Sequence, residues 1–279
     1  MTTGVALIVL TAALFHAVWN ALVKGAEDRV IMLGLIALGH IPAGLLLVFM
    51  FPLPNPSVWP WLVASVVVHW GYFWLLNVAY RLGDLSLIYP VARGLAPVLV
   101  ALIAQVWLGE VLPPLAWAGV ILVSIGILVL ARDAFTGALP AAGLIAALAV
   151  GVSVSAYSLI DGIGVRLSGS AAAYIGWLFS AKILIVLYVF PTRMDRFRAI
   201  PAKQLWIGFA GGLVSGAAYA LVLYAKTLAP LGLVSALRET SVIFAALIGV
   251  IWFREGPRGR RILASVIVSA GIVVIGATA

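Results

Sequence analysis

The sequence predicts an all-α polytopic membrane protein of ten transmembrane helices, built as two inverted five-helix repeats. Three observations carry that prediction. The 279 residues are 65% hydrophobic and 9% charged, whereas a soluble domain is about one-quarter charged. Ten apolar runs of about 18 to 23 residues are each long enough to cross a ~30 Å hydrocarbon core. A shift of 145 positions superimposes Arg81 on Lys226, Arg93 on Arg238, Trp107 on Trp252 and Glu110 on Glu255 without a gap. Coincidence of such rare residues at one offset argues for duplication, with residues 1–134 as one unit and 135–279 as the other. Five spans per unit is an odd number, so the second copy must enter the membrane upside down. Lipid cannot satisfy open backbone groups, and no alternating pattern suggests a barrel, so the spans are helices.

The first span, residues 4–24, starts without a basic leader or a small-residue cleavage signal and is expected to be retained. It carries His16 and Asn20 one turn apart. The second, 30–50, holds His40, and the third, 58–80, holds His69. Between them lies the uncharged stretch FPLPNPSVWPW, whose Trp59 and Trp61 suit an interfacial belt. The fourth, 85–107, contains YPVARGLAP, in which Pro90 and Pro97 bracket Arg93. Both prolines lack a backbone donor, so this helix is expected to bend around Arg93 and to serve as a hinge. Tyr89 shares the face of Arg93. Glu110 before Pro113, like Glu255 before Pro257, is expected to cap the helix that follows, here the fifth span at 115–132. The sixth span, 140–166, places Tyr157 and Asp161 one turn apart, and the seventh, 171–190, contains Lys182. The eighth, 204–225, carries GGLVSG, whose glycines are expected to permit close helix packing. The ninth, 231–253, contains Arg238 and Glu239, and the tenth is 260–277.

Lysine and arginine outside the spans divide twelve to two: Lys24, Arg29, Arg81, Arg132, Arg193, Arg196, Arg198, Lys203, Arg254, Arg258, Arg260 and Arg261 against Arg166 and Lys226. The cation-rich side is therefore expected to be cytoplasmic, with both termini external. The net charge of +8 is membrane topology and not a nucleic-acid surface. Cysteine is absent, which excludes disulfides and thiolate chemistry.

HAVWNALVK in the first span, YPVARGLAPVLVALIAQVWLGE in the fourth, DGIGVR in the sixth and ALRETSVIFAALIGVIWFRE in the ninth, with the five-plus-five duplication, resemble the drug/metabolite transporter superfamily, EamA-like branch. The resemblance covers nearly the whole chain and implies ten helices in two inverted halves around a central cavity. It does not imply one substrate. The small multidrug branch of that superfamily depends on a membrane glutamate in its first helix, and this chain has His16 and Asn20 there instead.

Intramembrane ionisable groups normally face a wet cavity or a partner, because burying each costs at least ~2.5 kcal/mol. Arg93 and Arg238 lie ~12 Å and ~10 Å from opposite ends of their spans, close enough in depth for both to reach one small ligand. Arg93, Arg238 and Lys182 outnumber Glu239 and Asp161, which points to an anion. Tyr157, Tyr89, His16, Asn20 and His69 complete the candidate substrate site, and a histidine is the candidate proton carrier. These features point to a secondary active transporter of a small anionic or zwitterionic metabolite, amino-acid or phosphonate-like, working by alternating access in a bacterial-type inner membrane. The alternatives are an exporter of cationic or drug-like compounds by proton antiport and, in another class, a polytopic lipid-modifying enzyme. No nucleophile elbow or carboxylate metal motif supports enzyme chemistry. The expected partners are a small-molecule substrate, membrane lipid and a coupling proton, in a monomer or homodimer; no cofactor, metal or nucleic acid is expected.

Overall fold

The computed structural model describes residues 1–23, 28–251 and 258–278. Lys24, Trp252, Arg254, Glu255 and Pro257, which enter the sequence reading, lie outside them. Among the described residues ten helical stretches are long and apolar enough to cross a membrane. The first five spans are single helices: α1 (Thr3–Val23), α2 (Arg29–Met50), α3 (Trp59–Leu82), α4 (Leu85–Leu108) and α5 (Pro114–Leu130). In the second half α6 (Ala141–Leu167) is followed by a seventh span split into α7 (Ala171–Ser180) and α8 (Ile183–Thr192). A short surface helix, α9 (Met194–Ala199), precedes the eighth span, α10 (Ala202–Lys226). The ninth is split into α11 (Leu231–Arg238) and α12 (Ser241–Ile251), and α13 (Arg258–Gly276) is the tenth.

Local chemistry sets several of these ends. Asp28 accepts from the backbone N–H groups of Val30 and Ile31 at 3.0 and 3.1 Å, capping α2. Gly109 ends α4 at φ 68°, a left-handed conformation that glycine adopts without strain. Pro90 and Pro97, the residues expected to bend α4, do not break it. α4 runs through both prolines as one segment. The breaks fall in the seventh span at Ala181–Lys182 and in the ninth at Glu239–Thr240. In the ninth, Glu239 and Thr240 donate to Ala236 and Leu237 at 3.1 Å, three residues back, and the Thr240 hydroxyl also takes Leu237 O at 2.8 Å. A side chain competing for a backbone carbonyl tightens the turn and interrupts the helix there.

The halves interlock: α1 packs on α10 while α6 packs on α3, α2 crosses α7 and α10, and α5 lies along α13. Glycine makes the closest approaches. A Cβ on Gly39 of α2 would stand 2.6 Å from Phe209 O and 2.7 Å from Gly212 Cα in α10, so Gly212 performs the expected packing role. Gly119 and Gly271 meet likewise between α5 and α13, each placing its would-be Cβ 2.8 Å from the other's carbonyl. Gly119→Val is therefore expected to lower stability by about 1–3 kcal/mol, read as a fall in melting temperature. Gly71→Val, where nothing lies within 4 Å, should leave it unchanged.

Peripheral ion pairs respect the predicted sides. Asp28 with Arg196 (3.4 Å) and Asp133 with Arg260 (2.6 Å) join residues of the cation-rich side. Glu110, after α4, pairs with Arg166 in the last turn of α6 on the cation-poor side.

Candidate functional site

The polar side chains at mid-span come together from α1, α3, α4, α6, α10 and α11. Arg93 of α4 does not stand free. Its Nε donates to Glu239 Oε2 at 2.9 Å, and Nη2 lies 2.8 Å from Oε1 without the alignment of a second hydrogen bond. Both residues are buried, at 4% and 2% exposed. The expectation of two mirrored arginines sharing a ligand is thus corrected: Arg93 is already matched by a carboxylate, while Arg238 is not. The reason is the helix rotation near 100° per residue, which turns Glu239 away from its neighbour Arg238 and toward α4.

Tyr89 lies one turn before Arg93, with the guanidinium carbon 5.9 Å from its ring centroid. Its hydroxyl is 3.3 Å from His16 Nε2, so α1 joins the cluster. Trp19 donates to His16 Nδ1 at 3.3 Å. Asn20, expected beside His16 as a ligand-facing pair, instead donates to the His16 backbone carbonyl at 2.7 Å.

Arg238 is half-buried and makes no hydrogen bond or ion pair among the described residues. Its guanidinium carbon sits 5.7 Å from the Tyr219 ring centroid. Tyr219 donates a short hydrogen bond to Asp161, which also accepts from Tyr174 at 2.8 Å. Asp161 is wholly buried. It therefore orients tyrosines and is not an open carboxylate for a ligand amine. Tyr157 does not bond Asp161; it stacks on His69 with centroids 4.5 Å apart, and His69 Nδ1 is engaged with Ser65 O at 2.8 Å. Tyr72 closes on Tyr157 at 5.7 Å. Half-buried His16, Tyr72, Tyr89, Tyr219 and Arg238 thus share one interior region.

Lys182 stands apart from this cluster. It has no ion pair with Asp161 and lines, with His69 and Trp70, a cavity of about 10 Å³, room for about one water. His40 packs on Phe179 at 4.7 Å with both ring nitrogens unpaired. Among the described residues no three metal-ligating side chains converge.

Two further expectations are overturned. Lys226, counted as a loop cation, is wholly buried and donates to Ser158 O and Oγ at 2.7 and 2.8 Å. Glu110 does not cap α5, whose N-cap is Pro113 without a side-chain bond. It accepts from Leu231 N at 2.7 Å at the start of α11 and pairs with Arg166, which also donates to Lys226 O and to Ala229 O at 2.6 and 2.8 Å. This knot ties three cation-poor loops together. Glu110→Ala should loosen it by about 1–2 kcal/mol and speed maleimide labelling of a cysteine introduced at Ala229 in this cysteine-free chain.

Residues 3–132 and 141–277 match the EamA-like transporter family, one segment in each half. The chain belongs to the EamA-like transporter family. Its fold is similar to that of a solved crystal structure with a TM-score of 0.79 and 22% identity, covering 100% of both chains. No curated protein matches it. This EamA-like protein is thus a multi-pass membrane protein of a transporter family, and the cluster around Arg238 sits within the matched segments. Tyr219, Tyr174 and Tyr72 were missed in the sequence. The one signal was indirect: a buried Asp161 needs donors, and Tyr219 lies three residues after Gly216 on a helix already read as tightly packed.

Proposed function

We propose that the protein is a secondary active transporter of a small anionic or zwitterionic metabolite, amino-acid or phosphonate-like, which binds with its anionic group on Arg238. The observation that carries this reading is a half-buried guanidinium at mid-span that makes no ion pair among the described residues. Burying a permanent cation in hydrocarbon is costly unless it meets water or an anion. Arg93, Arg238 and Lys182 stand against Glu239 and Asp161 near mid-span, a surplus of one formal positive charge. The Arg93–Glu239 pair forms a neutral flank, and the rings of Tyr219, Tyr157 and Tyr72 offer faces to the rest of the ligand. Arg93, Glu239, Tyr89, Asp161 and His69 thereby position the site, while Arg238 contacts the substrate.

Transport proceeds by alternating access between two inverted halves, residues 1–134 and 135–279. Reciprocal packing of α1 on α10 and of α6 on α3 supports that symmetry. The breaks beside Lys182 and at Glu239–Thr240, with Pro90 and Pro97, are the points of bending. His16, in contact with Tyr89, is the histidine placed to carry a coupling proton. The cation-rich loops face the cytoplasm of a bacterial-type inner membrane and both termini face outward.

Counterflow in vesicles reconstituted with the purified protein tests this reading. Preloaded amino acids or phosphonates should stimulate uptake of the labelled solute. Stimulation by quaternary ammonium compounds alone would favour a cation exporter and overturn it.

A further inference from the structure

Away from the central cluster, the outer face where α5 meets α13 carries a groove of about 610 Å³ at the cation-rich end. Ile125, Leu128, Val129 and Leu263 form its walls, and Arg132 and Arg260 stand at its mouth. Among the described residues no helix covers it: Ile125 and Leu263 are 47% and 52% exposed. From Ile125 to Arg132 the groove extends about 10 Å along the chain axis, from the charged mouth into the apolar zone. Arg132 makes no hydrogen bond or ion pair among the described residues. Arg260 spends one nitrogen on Asp133 at 2.6 Å and keeps its remaining donors. The groove also lies at the N-terminal end of α13, where the helix dipole favours negative charge.

We propose that this groove is a specific site for an anionic glycerophospholipid, with the phosphate held by Arg132 and Arg260 and one acyl chain laid against Ile125, Leu128 and Leu263. The matching order of charge and apolar surface selects this occupant. An acyl chain needs a groove open to the bilayer, and a headgroup phosphate needs cations at the level where the groove ends. A second copy of the chain fits worse, because a twofold contact through this patch would set its arginines against their own copies. A zwitterionic headgroup brings its own cation to the two arginines, so a net-negative headgroup binds better.

Native mass spectrometry of the full-length protein, exchanged into detergent with equimolar dioleoyl phosphatidylglycerol and dioleoyl phosphatidylcholine, tests the proposal. One phosphatidylglycerol is expected to stay bound per chain in preference to phosphatidylcholine. Arg132→Gln, which removes no hydrogen bond or ion pair among the described residues, should weaken retention about fivefold. Val129→Trp should fill the groove and remove retention with both arginines in place. Equal retention of the two lipids, or phosphatidylglycerol binding unchanged in Arg132→Gln, would overturn the proposal. So would replacement of the lipid by a dimer cross-linked through α5 and α13.

Discussion

Arg238→Ala is expected to abolish measurable counterflow in reconstituted vesicles while the purified protein melts as the wild type does. The melting temperature should hold because Arg238 makes no hydrogen bond or ion pair among the described residues and only packs over the Tyr219 ring. Function should fail because a charge-assisted hydrogen bond contributes about 2 kcal/mol, or roughly thirtyfold in affinity, and a guanidinium offers a planar anion two of them. Arg238→Lys should keep part of the activity, since the charge stays and the fork is lost. Transport at the wild-type rate by Arg238→Ala would remove this residue from the site.

Glu239→Ala is expected to produce the largest loss of stability, about 3–5 kcal/mol, seen as a sharp fall in melting temperature. The variant leaves Arg93 buried at 4% exposure beside Tyr89 with no carboxylate. Arg93→Ala should be milder, because Arg238 interacts with Glu239 electrostatically and offers it a second partner. Replacing both members, as Arg93→Leu with Glu239→Leu, should recover most of the loss, since an apolar pair avoids the desolvation of two charges. Recovery separates a pair that positions α4 against α11 from an arginine that binds ligand directly. If Glu239→Ala melts like the wild type, the pair has no such role.

Much of this architecture was legible in the chain. Span lengths follow from hydropathy alone, and the ten helical stretches begin and end within a few residues of the apolar runs. Which residues gather at mid-span was also readable, because depth follows from distance along a helix; His16, Tyr89, Arg93, Tyr157, Arg238 and Glu239 do meet. What distance along a helix cannot give is rotation about it. Arg93 and Glu239 are 146 positions apart, and their pairing depends on how α4 and α11 turn toward one another. The same limit hid the reach of Glu110 to the start of α11 and the burial of Lys226 against Ser158. The breaks in the seventh and ninth spans went unread for a different reason. Proline marks where a hydrogen bond is missing, but α4 is supported on both sides by α5 and α6 and stays continuous, whereas Thr240 disrupts its own helix through its hydroxyl.

Thermal melting of the purified wild type and of Arg238→Ala, each against the same set of small metabolites, tests the central claim most directly, because a ligand that binds the native state alone raises its melting temperature. Anionic or zwitterionic solutes should stabilise the wild type and lose that effect in the variant. Stabilisation that persists undiminished in Arg238→Ala, or that comes from cationic compounds alone, would contradict the account.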